Sequence, residues 1–143
     1  EDADEYQDVV DRLLVKWDTA REVVPAPVIE YSKFNRTAVL TVGSGEAAVH
    51  EAVERLAGEG VKLNYCRVKA FPFGEAVKDF IAKHDRVYVV EQNRDAQLRS
   101  LLILDAGIDQ KKLVPVLHYN GMPMNAGFVV ERIREDREKH EAA

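Results

Sequence analysis

The fold is decided by the stretch Val87-Tyr-Val-Val-Glu-Gln-Asn93, an apolar run that stops abruptly at three polar residues. A second apolar run, Ala38-Val-Leu-Thr-Val-Gly-Ser-Gly45, leads directly into a helical pattern. Two runs of this kind, each ending at a polar or glycine turn before a helix, indicate a parallel sheet with helices packed on it. Because ligands of such sheets bind just beyond the carboxyl ends of the strands, any site is expected at these two turns.

The rest of the chain continues this alternation of strands and helices. Apolar alternation and short apolar runs predict strands at 37–42, 61–68, 86–91 and 113–118. Apolar spacings of three and four predict helices at 46–60, 75–84, 97–106 and 128–134. We therefore predict an α/β protein, a three-layer α/β/α sandwich with an open, mostly parallel sheet.

Some of these elements carry more detailed predictions. The alternating pattern of strand 61–68 predicts that one of its faces is more exposed. Pro115 cannot donate a ladder hydrogen bond, so it places strand 113–118 at an edge or a bulge. Leu101 is expected to face the sheet, and residues 135–143 are expected to form a solvated, charged end.

The N-terminal segment predicts a separate amphipathic helix that ends near residue 24. Its apolar face consists of Tyr6, Val9, Val10, Leu13, Leu14 and Trp17. Pro25-Ala-Pro27 then forces an extended segment. We predict that residues 1–27 form this helix and a Pro-rich connector and that residues 28–143 form a single α/β domain. The helix either packs on that domain, with Trp17 in the core, or docks a neighbour.

Composition excludes several classes of function. The chain has 143 residues, enough for one domain with an apolar core but too few for two ordinary ones. A net charge of −5 argues against nucleic acid as a partner. No apolar run approaches the ~18 residues that cross a bilayer, so no membrane partner is expected. The single cysteine, and an acidic N-terminus without a basic signal region, predict a cytoplasmic protein.

The turn Gly43-Ser-Gly45-Glu-Ala-Ala48 has the loose pattern G-x-G-x-x-A between a strand and a helix. Such a turn can present backbone N–H groups and a helix N-terminus to a phosphate. The complete dinucleotide fingerprint adds an acidic residue about 20 positions later. This chain has Cys66-Arg-Val-Lys69 there. Two interpretations remain: a tight turn that needs glycine for its geometry, or a site in which Arg67 and Lys69 hold a phosphate.

The end of the second run, Glu91-Gln-Asn93, places a carboxylate and two amides at the end of the central strand. Glu91 is either an acid for proton transfer or a structural hydrogen-bond acceptor, and Asn93 suits a helix N-cap or a turn. No histidine or second carboxylate lies at a spacing that would fix it beside Glu91. We therefore predict no catalytic residue. The candidate crevice residues are Gly43, Ser44, Gly45, Glu91, Gln92 and Asn93.

The remaining reactive side chains form no recognisable constellation. The histidines are scattered without the spacing of metal ligands, so no metal site is predicted. Cys66 lies within a predicted strand without a histidine nearby, which is typical of a small buried hydrophobe and not of a nucleophile.

Five segments, in this order, resemble one protein family. They are Arg12-Leu-Leu-Val-Lys-Trp-Asp-Thr-Ala-Arg-Glu-Val-Val-Pro-Ala-Pro27, Val42-Gly-Ser44, Phe71-Pro-Phe73, Val89-Val-Glu-Gln-Asn-Arg-Asp-Ala-Gln-Leu98 and Leu113-Val-Pro-Val-Leu-His-Tyr-Asn-Gly-Met-Pro123. In these segments the chain resembles the C-terminal domain of the α subunit of 2-oxoacid:ferredoxin oxidoreductases, most closely the 2-oxoglutarate type. The resemblance covers nearly the whole chain, and segment 89–98 is its most specific part.

This resemblance implies a fold similar to the transketolase C-terminal domain. It also implies that the complete enzyme oxidatively decarboxylates a 2-oxoacid on thiamine diphosphate with Mg. Electrons then pass through an iron–sulfur cluster to ferredoxin, and the product is an acyl-CoA. The pyrimidine-binding domain of the same subunit and the β subunit would hold the diphosphate cofactor, and this domain would hold no cofactor. The chain would then be a non-catalytic accessory domain, inactive alone, that contacts those partners and can form a homodimer.

The chain departs from the family pattern at two positions. The family's Pro-Phe-Pro is Pro72-Phe73-Gly74 here, and a glycine that is frequent before Gln97-Leu98 is Ala96. The second change puts in doubt a positive φ at that position. The alternative to an accessory domain is an independent nucleotide- or anion-binding domain that uses the Gly43-Ser44-Gly45 turn.

Overall fold

The computed structural model describes residues 2–32 and 35–142, and within them five strands form one sheet. The strands are β1 (Val28–Glu30), β2 (Thr37–Val42), β3 (Asn64–Val68), β4 (Arg86–Glu91) and β5 (Leu113–Leu117). Their spatial order is β1-β3-β2-β4-β5, with β1 antiparallel to β3 and the other pairs parallel. The predicted open, mostly parallel sheet is therefore confirmed.

Helices cover both faces of this sheet, and one further helix precedes it. They are α1 (Ala3–Val23), α2 (Glu46–Gly58), α3 (Glu75–Ala82), α4 (Gln97–Leu104) and α5 (Ala126–Glu141). Successive strand residues point to opposite faces, so Val39 and Tyr88 belong to one apolar core and Leu40 and Val89 to the other. Helices α2 and α5 cover the first core and α3 and α4 the second, which confirms the three-layer sandwich.

The chain leaves the two central strands in opposite directions. From β2 it passes through α2 to β3 on one side, and from β4 through α4 to β5 on the other. A crevice opens at the carboxyl ends of two such strands, because neither connection crosses the space between them. The fold thus places the turns after Val42 and Glu91 side by side.

Two strand predictions are wrong. Strand β3 begins at Asn64 and not at residue 61, and Asn64, Tyr65 and Cys66 are buried, so the strand has no markedly exposed face. The sequence pattern does not show this burial because β1 pairs with the outer edge of β3 and helices cover both of its faces. Strand β1 itself is missing from the prediction, since three residues beside a Pro-rich connector make too short a pattern.

Strand β5 lies at the opposite edge of the sheet, where Pro115 predicts it. The N–H of His118 donates to the carbonyl of Glu91, so the odd-numbered residues of β5 direct their backbone groups away from β4. On that free edge Pro115 has no N–H, and the Leu113 carbonyl accepts a 2.9 Å hydrogen bond from Arg99 Nε. Both features hinder pairing with a further strand.

Helix α5 is longer than predicted. It continues to Glu141 and residues 135–137 are half-buried, so the prediction of a solvated end is wrong for those three residues. Residues 138–140 and Ala142 are exposed as predicted, and Ala143 lies outside the described residues. Asp136 accepts a 2.7 Å hydrogen bond from Arg86 and a 2.9 Å hydrogen bond from the Tyr88 hydroxyl. These bonds attach the polar second half of α5 to β4.

Helix α1 projects from the domain, and its described side chains contact the domain near the C-terminal end of the helix. The ring of Trp17 packs edge-on against Phe71, with ring centroids 5.2 Å apart, and Arg21 forms hydrogen bonds with Asp105. No described residue of α1 is buried, and Trp17 is 43% exposed. The expectation that Trp17 lies in the core is therefore wrong, because too little of the domain faces α1 to cover it.

Candidate interdomain crevice

The two predicted turns meet at the centre of the sheet edge. Strands β2 and β4 are neighbours, and the Ser44 hydroxyl donates a 3.1 Å hydrogen bond to Gln92 Oε1. Gly43 has a φ of 69°, which allows the chain to turn sharply from β2 into α2. Ser44 and Gln92 are exposed, so they form a polar pair at the mouth of the crevice.

Glu91 lies behind this pair, and its carboxylate accepts hydrogen bonds from nearby residues of the same chain. The residue is 2% exposed, and Oε2 accepts hydrogen bonds of 2.7 Å from the backbone N–H of Leu98 and 2.5 Å from Asn93 Nδ2. Its Oε1 accepts a 3.1 Å hydrogen bond from the backbone N–H of Arg99. A carboxylate here satisfies N–H groups at the start of α4 and faces the positive end of the helix dipole. Of the two interpretations of Glu91, this geometry favours the structural acceptor.

The turn between β4 and α4 has an unusual backbone conformation. Asn93 Oδ1 accepts hydrogen bonds from the N–H groups of Asp95 at 3.0 Å and Gln97 at 3.2 Å, as expected of a turn residue. Ala96 has φ 50° and ψ 48°, which is the left-handed region. This conformation costs a residue with a Cβ roughly 1–2 kcal/mol. The chain therefore keeps a glycine-like backbone at this position although the residue is alanine.

The glycine turn after β2 is covered by another part of the chain. A Cβ added to Gly45 would lie 3.4 Å from Met124 Cε, at van der Waals distance, so Met124 lies close to the turn. Arg67 Nη1 lies 3.5 Å from Glu46 Oε2, at the first residue of α2. Met124 thus lies against the turn, and a carboxylate stands at the helix N-terminus. Both features favour the tight turn over the phosphate site.

The rim of the crevice carries large apolar side chains that no sequence pattern indicated as site residues. Their exposed fractions are 39% for Val42, 40% for Phe71, 38% for Leu101, 64% for Tyr119 and 68% for Met122. The prediction that Leu101 faces the sheet is wrong, because Leu98 and Leu102 fill that side of α4. The sequence does contain a signal for Phe71, Tyr119 and Met122. Each is an aromatic or methionine side chain inside a turn, where polar residues are usual.

Two shallow cavities flank the polar pair of Ser44 and Gln92. One, of about 600 Å³, lies beside the segment after β5, and the other, of about 300 Å³, lies beside α4. The first is lined in part by His118, which is 5% exposed and whose ring packs edge-on against Phe128 at 4.8 Å. The second is lined in part by Phe71. Both cavities are open to solvent and suit side chains of another surface better than an enclosed substrate.

The described residues offer no further reactive cluster. Within residues 2–32 and 35–142, no group of three or more His, Cys, Asp or Glu side chains could hold a metal ion. Burial raises the pKa of the Cys66 thiol to about 12, which confirms it as a buried hydrophobe. In the same part of the chain, no helix has the length and apolar character needed to cross a bilayer.

Sheet and crevice together define a mainly parallel α/β domain with an apolar rim at its strand ends. No protein-family model matches the chain. Over 107 residues it is 33% identical to 2-oxoacid:ferredoxin oxidoreductase 2, subunit alpha, of Aeropyrum pernix. Over 109 residues it is 29% identical to 2-oxoacid:ferredoxin oxidoreductase subunit alpha of Saccharolobus solfataricus. These matches cover 71% and 75% of this chain but only 16% and 17% of the relatives, so the chain spans about one sixth of their length.

Two solved structures are also similar. The 2-oxoglutarate:ferredoxin oxidoreductase from Magnetococcus marinus, with 2-oxoglutarate, coenzyme A and succinyl-CoA bound, matches 94% of this chain and 23% of its own, with a TM-score of 0.80 and 23% identity. The alpha chain of a probable 2-oxoacid ferredoxin oxidoreductase from Thermoplasma acidophilum is 31% identical, with 76% of this chain and 94% of that chain covered and a TM-score of 0.51. The chain belongs to the family of 2-oxoacid:ferredoxin oxidoreductase α subunits. The matches are consistent with the C-terminal domain of such a subunit.

Proposed function

We propose that this chain is a non-catalytic accessory domain that helps to assemble a thiamine-diphosphate-dependent 2-oxoacid:ferredoxin oxidoreductase. The observation that carries the proposal is the way the chain uses its strand ends. Glu91, a carboxylate that lines one of the two cavities, is buried and accepts three hydrogen bonds from its own chain. Around it, Phe71, Tyr119 and Met122 are exposed. Apolar side chains of this size around a polar centre are typical of a protein–protein contact.

The crevice would form one wall of that contact without making or breaking bonds. Gly43 and Gly45 would set the turn, and Ser44 and Gln92 would supply its polar centre. Glu91 would hold the start of α4 in place, and Asn93 would hold the turn before it. A wall built on strand ends and helix starts is rigid, which limits the entropy lost on association.

In the complete enzyme, the domain would pack against the pyrimidine-binding domain of its own subunit and against the β subunit. Those parts would hold thiamine diphosphate and Mg, and an iron–sulfur cluster in the complex would pass electrons to ferredoxin. The substrate would be a 2-oxoacid that is oxidatively decarboxylated to an acyl-CoA. We favour 2-oxoglutarate, because the Magnetococcus enzyme whose fold this chain shares has it bound.

Two measurements test this function. The purified chain should show no turnover with 2-oxoglutarate, coenzyme A and an artificial electron acceptor, and robust turnover would exclude the proposal. When the chain is reconstituted with the other α-subunit domains and the β subunit, Phe71→Asp should weaken assembly at least about tenfold, because it buries a carboxylate in the contact. Leu104→Asp is the matched control, since Leu104 is 81% exposed at the far end of α4. Equal assembly of the two variants would contradict the role of the rim.

The alternative, an independent domain that binds a nucleotide or anion at Gly43-Ser44-Gly45, gives a different result. A ligand that binds only the folded chain adds ~2.7 kcal/mol to its stability at a hundredfold excess over the dissociation constant. Titration with NADP and with coenzyme A should leave the thermal midpoint unchanged if the accessory role is correct. A clear rise with either ligand would favour the alternative.

A further inference from the structure

The apolar face of α1 contains an uninterrupted seam, which we call the α1 seam. It consists of residues at alternating spacings of three and four: Ala3, Tyr6, Val10, Leu13, Trp17 and Ala20. This is the pattern by which one helix of a coiled coil packs against another. Tyr6 is 74% exposed and Leu13 is 55% exposed, so the domain leaves the α1 seam largely uncovered.

The α1 seam is complementary to itself in an antiparallel arrangement. A two-fold axis at the middle of the helix sets Tyr6 opposite Trp17 and Val10 opposite Leu13. Aromatic rings then meet at both ends, and aliphatic side chains meet at the centre. No seam position faces a polar residue of the other copy.

The distribution of charge along α1 favours the same arrangement. Residues 2–11 contain five carboxylates and no basic residue, whereas residues 12–23 contain Arg12, Lys16 and Arg21 together with the two carboxylates Asp18 and Glu22. Arg21 is bound to Asp105 of its own domain, so antiparallel copies place the acidic half of one helix beside Arg12 and Lys16 of the other and oppose their dipoles. Parallel copies would place the two acidic halves side by side.

We propose that α1 docks against α1 of a second copy of this chain as an antiparallel helix pair. This contact extends the assembly role proposed above without using the crevice. Its test needs no other chain, so its failure is distinguishable from failure of the proposed function.

Sedimentation equilibrium of the whole chain tests the contact, from about 10 µM to about 500 µM because a single helix pair buries less than about 1,200 Å². The wild type should form dimers. Leu13→Glu places a charge at the centre of the α1 seam and should raise the dissociation constant at least about tenfold. Val15→Glu is the matched control, since Val15 is 66% exposed on the other side of α1, and its constant should stay within about threefold of the wild type.

A pair of charge variants tests the direction of the helices. In the antiparallel pair, Val9 flanks the α1 seam beside Lys16 of the second copy. Val9→Glu therefore adds an attractive charge there and Val9→Lys a repulsive one. At low salt the Glu variant should dimerise at least about fivefold more tightly than the Lys variant. Equal constants for the two would overturn the antiparallel arrangement.

Disulfide formation tests the register. When Val10→Cys and Leu13→Cys are mixed and treated with oxidised glutathione, the antiparallel pair should give a disulfide between the two variants, identified by its mass. A parallel pair would give disulfides within each variant. Cys66 is fully buried and does not compete.

At about 1 µM, where the helix pair is dissociated, the thermal midpoint and far-UV circular dichroism of each variant should match the wild type, because α1 contributes no buried residue to the domain. With folding verified in this way, a wild type that stays monomeric at the highest concentration overturns the proposal. Equal weakening by Leu13→Glu and Val15→Glu overturns it as well.

Discussion

Glu91 Oε2 accepts a 2.7 Å hydrogen bond from the backbone N–H of Leu98, so the carboxylate that ends β4 caps the helix that follows. Glu91→Ala should lower the free energy of unfolding by about 2–4 kcal/mol, because the buried N–H groups of Leu98 and Arg99 lose their acceptor. Glu91→Gln keeps one acceptor oxygen and should lose less. Urea denaturation measures both changes, and an Ala variant as stable as the wild type would show that the cap is unimportant.

The central strands could be predicted from the sequence, whereas this cap could not. Strands β2 and β4 are covered on both faces and both edges, so most of their residues are apolar, and this run of apolar residues predicts a buried strand. The partners of Glu91 depend on how the turn before α4 folds back. Likewise, Met124 lies against Gly45 through packing between distant segments. The second half of α5 is polar and is attached to β4 through Asp136. It lacks the periodic spacing of apolar residues from which a helix is predicted.

Ala96 offers a test of stored backbone strain. The left-handed conformation of Ala96 costs a residue with a Cβ about 1–2 kcal/mol. Glycine avoids this cost, and the greater entropy of its unfolded chain offsets only part of the gain. Ala96→Gly should therefore raise the free energy of unfolding by about 0.5–1 kcal/mol. The control is Ala47→Gly on the exposed side of α2, which should lower it by about 1 kcal/mol. Both values come from chemical denaturation, and destabilisation by Ala96→Gly would refute the strain.

His84 makes stability depend on pH near neutrality. It is 1% exposed, its Nε2 accepts a 2.7 Å hydrogen bond from Asn64, and its Nδ1 donates to the Phe80 carbonyl at 2.6 Å. Burial lowers its pKa below the ordinary 6.5. Between the two values the unfolded chain binds a proton that the folded chain does not, so stability should fall as the pH drops below 6.5.

The slope in that window should not exceed about 1.4 kcal/mol per pH unit for this one group. His84→Gln should make the free energy of unfolding flatter over the same range. Titration of the ring signals by NMR gives the pKa directly, and a value at or above the ordinary 6.5 would contradict the burial effect.

Arg21 fastens the C-terminal end of α1 to the domain. Its guanidinium donates hydrogen bonds of 2.7 Å and 2.9 Å to Asp105 and one of 2.9 Å to the Phe73 carbonyl. The bonds to Asp105 hold the pKa of that carboxyl below its usual 3.8. Arg21→Met should therefore raise this pKa and shift the fluorescence of Trp17, the single tryptophan, to longer wavelength. Arg94→Met removes an exposed ion pair and should change neither. Unchanged Trp17 fluorescence in Arg21→Met would show that other contacts hold the helix.

Tyr65 and Tyr88 flank Val39 on the same face of the sheet but differ at their hydroxyl groups. The Tyr88 hydroxyl donates a 2.9 Å hydrogen bond to Asp136, whereas the buried Tyr65 hydroxyl has no partner among the described residues. Tyr65→Phe should leave the free energy of unfolding unchanged or raise it by up to about 1 kcal/mol, since it removes an unsatisfied polar group. Tyr88→Phe should lower it by about 1–2 kcal/mol, because Asp136 loses a donor.

Burial also raises the pKa of both phenols to about 12. Absorbance titration of the folded chain should therefore show no ionisation of Tyr65 or Tyr88 until close to that pH. Each Phe variant should remove one late-titrating group, which checks that the intended ring was changed. If Tyr65→Phe then proves the more destabilising of the two, its hydroxyl must have a partner, and the contrast between the two rings is wrong.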